Sequence, residues 1–210
     1  MENFLVEISE DINWRLGQLA TIKTLPFRYS ITNDHKNFLL KYLIPSCYAV
    51  WEGFVKNTFE IYTRYLNSLS IKMDKFSISI VSHSIERTFP QLRNEINDQR
   101  KIEHLCESLF NYAKNNFSVS SLLPTNSNIN LKIINNILSR YNLALLPTTP
   151  YKNELNKLIH FRNLIAHGDN NIVVTKDIVF EFTNTINHLM SDIFLLVEEG
   201  YNNKTYLREQ

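Results

Sequence analysis

A chain of 210 residues, 44% hydrophobic and 20% charged, is long enough to bury a substantial core and is globular in composition. Its net charge of +1 gives no global electrostatic footprint for nucleic acid, so any RNA or DNA contact must come from a local patch or from the two faces of an oligomer. Four glycines and six prolines argue against an all-β protein built on tight turns, and two distant cysteines, Cys47 and Cys106, are too few for a disulfide framework or a zinc knuckle.

Both cysteines are expected as buried, reduced thiols of a cytoplasmic protein. The Met1–Leu5 start lacks the basic segment and apolar run of a secretory leader. No window approaches the ~20 apolar residues of a membrane span, so no membrane association is expected.

In chain order, Ile8, Ile12, Leu16 and Leu19 have helical spacing and predict a first helix over about 6–25, ended by Pro26. Thr32 is a good N-cap, with Asn33 and Asp34 in the turn that follows. From it a long helix is predicted to about Leu69, on the stripe Leu43, Cys47, Val50, Trp51, Phe54, Thr58, Ile61 and Tyr65. Pro45 predicts either a kink in that helix or a helix that begins nearby. The aromatics of this segment read as core. Residues 72–84 are polar and β-branched, and Ile78, Ile80 and Val81 fit either a short extended piece or a helix start. A helix is predicted over 92–115, with Ile96, Ile102, Leu105, Leu109 and Tyr112 inward. Residues 118–130 read as a loop and 131–141 as a short helix. A turn at 145–150 leads into a helix opened by Tyr151, and Ile172-Val173-Val174 is a brief extended connection. Thr175 caps a last long helix ending at Gly200, and the polar tail 201–210 is expected to fray. The fold class is therefore all-α, a bundle of five to six helices. The whole of 1–210 reads as one domain, with possible inserted helices at about 72–145.

The most informative stretch is Leu158-Ile159-His160-Phe161-Arg162-Asn163-Leu164-Ile165-Ala166-His167-Gly168-Asp169. At 100° per residue, Leu155, Leu158, Ile159, Ile165 and Ala166 share one face, and Arg162 falls inside that apolar stripe. A guanidinium cannot be discharged, so a half-buried one calls for an anion or several acceptors. His160, Asn163 and His167 share the adjoining flank. Gly168 is the residue type that ends helices in the left-handed conformation, and the carbonyl end it creates favours an imidazolium. His167 is thus suited to general acid or base work.

Arginine plus histidine suffices for one reaction without metal or cofactor. RNA carries its own nucleophile, the 2′-OH; a base removes its proton and a cation stabilises the phosphorane. One histidine cannot easily serve as both base and leaving-group acid, which points to two copies facing each other in a homodimer. No phosphate-binding glycine loop and no Gly-x-Ser-x-Gly elbow is present. His35, His83, His104 and His188 are scattered without acidic partners at ligand spacing, so no metal site is expected.

The run Arg162-Asn163-x-x-x-His167, with its Ala-His-Gly ending, resembles the hallmark of the HEPN domain superfamily. The segment Tyr48-Ala49-Val50-Trp51-Glu52-Gly53-Phe54-Val55-Lys56 resembles its MAE_28990/MAE_18760-like and RiboL-PSP-HEPN branch, which carries a Trp-Glu on the early long helix. The resemblance implies an up-and-down helical bundle, homodimerisation, and metal-independent endoribonuclease activity. It also implies a setting in bacterial toxin–antitoxin or antiphage defence, with an antitoxin or other partner protein. By position, Arg162 and His167 are the catalytic pair and Asn163 the polar assistant. Glu52 is expected near Arg162, as its counter-ion or as an orienting acid, and His160 as a supporting neighbour. HEPN domains also occur as non-catalytic interaction or sensor modules. Where some members carry a tyrosine that a partner nucleotidyltransferase modifies, this chain has Asp169.

Overall fold

The computed structural model describes residues 3–93, 98–125, 128–169 and 172–208. Among them the chain forms seven α-helices: α1 (Asn3–Arg28), α2 (Asn33–Ser68), α3 (Ile78–Thr88), α4 (Gln99–Asn111), α5 (Leu131–Arg140), α6 (Tyr151–Ala166) and α7 (Lys176–Asn202). No strand is present among these residues beyond one isolated antiparallel bridge, Phe76 to Leu207. The all-α expectation holds, and the extra helix over the predicted five to six is α3, where an extended piece was the other option.

The architecture follows from apolar stripes on the three long helices. α1 packs on α2, both pack on α7, and α6 closes the group against α2 and α7; α5 lies on α6 and α3 on α5. Trp51, Phe54, Phe59 and Tyr62 of α2 are fully buried, as are Phe182, Ile186, Leu189 and Ile193 of α7. Each such side chain contributes about 1.5–3 kcal/mol by leaving water. Thr32 caps α2, its hydroxyl accepting from the His35 N–H at 3.3 Å, and Thr175 does the same for α7 at the Ile178 N–H, 3.4 Å. α2 runs unbroken through Pro45, so the helix does not start there.

Arg15 joins α1 to α2. Its guanidinium is buried, donating to the Val50 carbonyl at 3.0 Å and to Asp11 at 2.7 Å. Gly53 makes room for it: a Cβ there would stand 2.7 Å from the Arg15 Nη1.

Several expectations are corrected. The described helix in the middle region begins at Gln99, capped by Asp98, after a 3-10 turn at Pro90–Arg93; Ile96 lies outside the described residues. Only Leu105 of α4 is buried, and Ile102 is exposed, because α4 has no broad partner beyond the π-helical turn Tyr112–Asn116 that follows it. Cys47 is buried but Cys106, on α4, is exposed. The tail does not fray through its described length. Tyr206 is buried, its carbonyl accepts from the Ser77 N–H at 2.8 Å, and the Arg208 N–H donates to the Lys75 carbonyl at 2.8 Å.

Candidate active site

α6 carries the Arg162–His167 stretch. Leu155, Leu158 and Ile165 are buried against α2 and α7, and Arg162, between them on the same face, is half-buried as the wheel predicts. Ala166 departs from that prediction and is exposed, since α6 leaves the core at its last turn.

The helix ends as a Schellman motif. His167 is the C-cap and Gly168 follows at φ +79°. The Gly168 N–H donates to the Ile165 carbonyl at 3.1 Å and the Asp169 N–H to the Leu164 carbonyl at 3.0 Å. The Lys41 ammonium of α2 donates to the Asp169 carbonyl, so the turn beyond His167 is tied to α2.

The Arg162 guanidinium lies over the Tyr48 ring, 4.4 Å from its centroid, and its Nη1 donates to the Asn163 Oδ1 at 2.7 Å. A cation over an aromatic face is worth ~0.5–2 kcal/mol, more as water is excluded. Tyr48 is itself fixed. Its hydroxyl accepts from the Ile129 N–H at 2.8 Å, while the Trp51 indole N–H donates to the Ile129 carbonyl at 2.8 Å. Both backbone polar groups of one loop residue, Ile129, are therefore held by α2. Burial, above all, and also a hydrogen bond with Glu52 push the Tyr48 phenol above its ordinary pKa, partly offset by the Ile129 N–H and by Arg162. The phenol stays neutral and keeps its donor.

The sequence-predicted site residues divide by this geometry. Arg162 and Asn163 are in direct contact. Glu52 pairs with Lys56 at 2.6 Å and hydrogen-bonds Tyr48, whose ring lies against the Arg162 guanidinium. His160 and His167 are exposed on α6; the His160 ring stands edge-on to Phe161, 6.4 Å between centroids, and Phe161 packs on Phe182. Sequence reasoning missed the roles of Tyr48 and Lys41. The signal for Tyr48 was its i, i+4 relation to Glu52, which sets both on one face of α2.

Of the other histidines, His83 is buried with its Nε2 on the Ser120 carbonyl at 3.0 Å, and burial, first, lowers its pKa. His35, His104 and His188 are exposed. Among the described residues no group of three or more His, Cys, Asp or Glu side chains is arranged to hold a metal ion, and no helix is long and apolar enough to cross a membrane.

What the arrangement can do chemically is narrow. It offers a fixed cation, an amide beside it, and an exposed imidazole one turn further along at a helix C-terminus. No curated protein and no solved structure matches the chain. The MAE_28990-like HEPN family does match it, over residues 4–206, which takes in both Trp51-Glu52 and Arg162–His167. With nearly its whole length covered, the chain belongs to that HEPN family.

Proposed function

We propose that the protein is a metal-independent endoribonuclease. His167 takes the proton from a ribose 2′-OH, and the resulting alkoxide attacks the adjacent phosphorus. The P–O5′ bond breaks and leaves a 2′,3′-cyclic phosphate. The departing 5′ oxygen takes a proton from the His167 of a second copy. Arg162 offsets the charge that builds on the phosphorane oxygens, and Asn163 holds the guanidinium in place. Glu52 acts on Arg162 through Tyr48, and His160 lies beside the path of the strand. The setting we propose is bacterial toxin–antitoxin or antiphage defence, with the activity restrained by a partner protein.

One observation carries this reading: an arginine anchored on an aromatic face within an apolar stripe, beside a histidine exposed at a capped helix end. The homodimer has separate support. Phe38 and Tyr42 are 61% and 48% exposed and pack on each other at 4.6 Å between centroids. They flank Lys41, the residue that holds the turn beyond His167, so an uncovered aromatic face adjoins the site.

Purified protein should cleave single-stranded RNA in EDTA and leave cyclic-phosphate and 5′-hydroxyl ends. Arg162→Ala and His167→Ala should each lower the rate by about a hundredfold or more while thermal melting shows the fold retained. Undiminished cleavage in both variants overturns the assignment.

A second reading, a non-catalytic interaction or sensor module, is favoured by the way Arg162 is already engaged by Tyr48 and Asn163, as in a purely structural arginine. It predicts no cleavage by the wild type and tight association with a partner protein.

A further inference from the structure

Two hollows open on the side of α5 and share Lys132 and Asn135 as lining. The larger, about 680 Å³, is walled by Glu86, Arg87, Arg140, Pro124, Ile133 and Leu145. The smaller, about 370 Å³, reaches across to α6 at Lys152 and Asn156. Much of the lining is committed to the fold. The Asn135 amide holds both backbone groups of Leu146, accepting from its N–H at 3.0 Å and donating to its carbonyl at 3.0 Å. Arg140 is bound to Glu86 and to Asn136. Lys132, Lys152 and Asn156 are different: all three side chains are exposed, and none has a hydrogen-bond or ion-pair partner among the described residues. Two ammonium groups and an amide thus line one groove with no ion-pair partner among the described residues, the one carboxylate nearby, Glu86, being paired with Arg140.

The groove does not stand alone. Lys152, Asn156, His160, Asn163 and His167 fall within about 80° of one another around α6, a polar stripe ~22 Å long. Glu154, the only acidic residue of α6, lies outside this stripe and turns to Glu181 of α7, which with burial raises its pKa. The stripe therefore starts at the cationic groove, ends at His167, and carries no negative charge.

We infer that the groove between α5 and the start of α6 binds the phosphates of a single-stranded RNA a few nucleotides from the bond that is cut. Lys132 and Lys152 contact the backbone, and the α6 stripe leads the strand to His167. This rests on the reading of Arg162–His167 as an RNA site. A single-stranded polyanion fits the track because it brings a phosphate at each step, for the two ammonium groups at one end and the amides of Asn156 and Asn163 further along, and because the track ends at the RNA site proposed above.

The test uses a 2′-O-methyl oligoribonucleotide of about a dozen nucleotides, which lacks the nucleophile and so reports binding without cleavage. The Lys132→Ala/Lys152→Ala double variant should bind it about tenfold more weakly, and the slope of log K against log salt should shrink by about 1.4, two contacts on a single strand. The Lys132→Arg/Lys152→Arg variant should restore both, and Lys101→Ala, on exposed α4, should change neither. Wild-type affinity and slope in the double alanine variant overturn the inference, whatever the nuclease assay gives. Lysine-dependent binding by a wild type that does not cleave natural RNA supports the groove and overturns the nuclease reading. Absence of both binding and cleavage overturns the two together.

Discussion

Arg162 sits in a place that an apolar residue would fill without difficulty, and the cost of keeping a guanidinium there is met by Tyr48. The ring supplies a face for the charge at 4.4 Å, and Asn163 supplies one acceptor at 2.7 Å. The tyrosine hydroxyl, for its part, is engaged with Ile129 and Glu52. The two parts of the tyrosine separate by substitution. Tyr48→Phe keeps the face but strips the Ile129 N–H of its acceptor, and should lower unfolding stability by about 1–3 kcal/mol while RNA cleavage keeps its kcat. Tyr48→Leu removes the face as well, and kcat should then drop by about tenfold. Equal kcat in the two variants would show that the ring does not position Arg162. The position of Arg162 was legible in the sequence because helical period alone puts residue 162 between Leu158 and Ile165. Tyr48 was not, because its partner lies more than a hundred residues away and its hydroxyl bonds a loop with no periodic signal.

At the scale of the element, α6 is a helix whose end matters more than its middle. Its last carbonyls are closed by the N–H groups of Gly168 and Asp169, which fixes where His167 leaves the helix. Gly168 adopts φ +79°, and a Cβ added there would meet no atom within 4 Å. Any cost of substitution is therefore backbone strain and not a clash. Gly168→Ala should lower stability by about 1–2 kcal/mol, and Gly168→Asn by less, since asparagine tolerates the left-handed region. Cleavage should fall in the same order; a Gly168→Ala protein as stable as the wild type would mean the turn can re-form another way. This element was readable almost to the residue, because Gly after a periodic run is a local signal. The tail was not. Tyr206 is buried, and the backbone of Tyr206 and Arg208 pairs with Ser77 and Lys75, contacts that close only when two segments far apart in sequence meet. α4 failed for the opposite reason: its apolar residues are spaced for burial, but little packs over Ile102 or Phe110.

Across the whole molecule, the exposed aromatics are unevenly placed. Among the described residues, Phe110 of α4 stands apart, while Trp14, Phe27, Tyr29, Phe38 and Tyr42 lie on α1 from its middle onward, the first turns of α2 and the link between them. This is the end of α2 from which Lys41 reaches the turn after His167. If two copies meet on this face, replacing Phe38 and Tyr42 with serine should weaken self-association on the order of tenfold or more without lowering the melting temperature, because both side chains already face water. Sedimentation at several concentrations would read the effect. Unchanged association would move the dimer interface elsewhere, and a dimer lost with cleavage intact would mean one copy is sufficient for the chemistry.

The clamp on Ile129 has a further consequence. Its N–H donates to the hydroxyl of the ring that carries Arg162, and its carbonyl is held by the neighbouring Trp51. A loop amide thus stands one side chain away from the guanidinium, shielded from solvent and with only one acceptor. Its chemical shift and exchange rate form a built-in gauge of the electrostatic state of the arginine, readable at a position that no strand of RNA would have to touch.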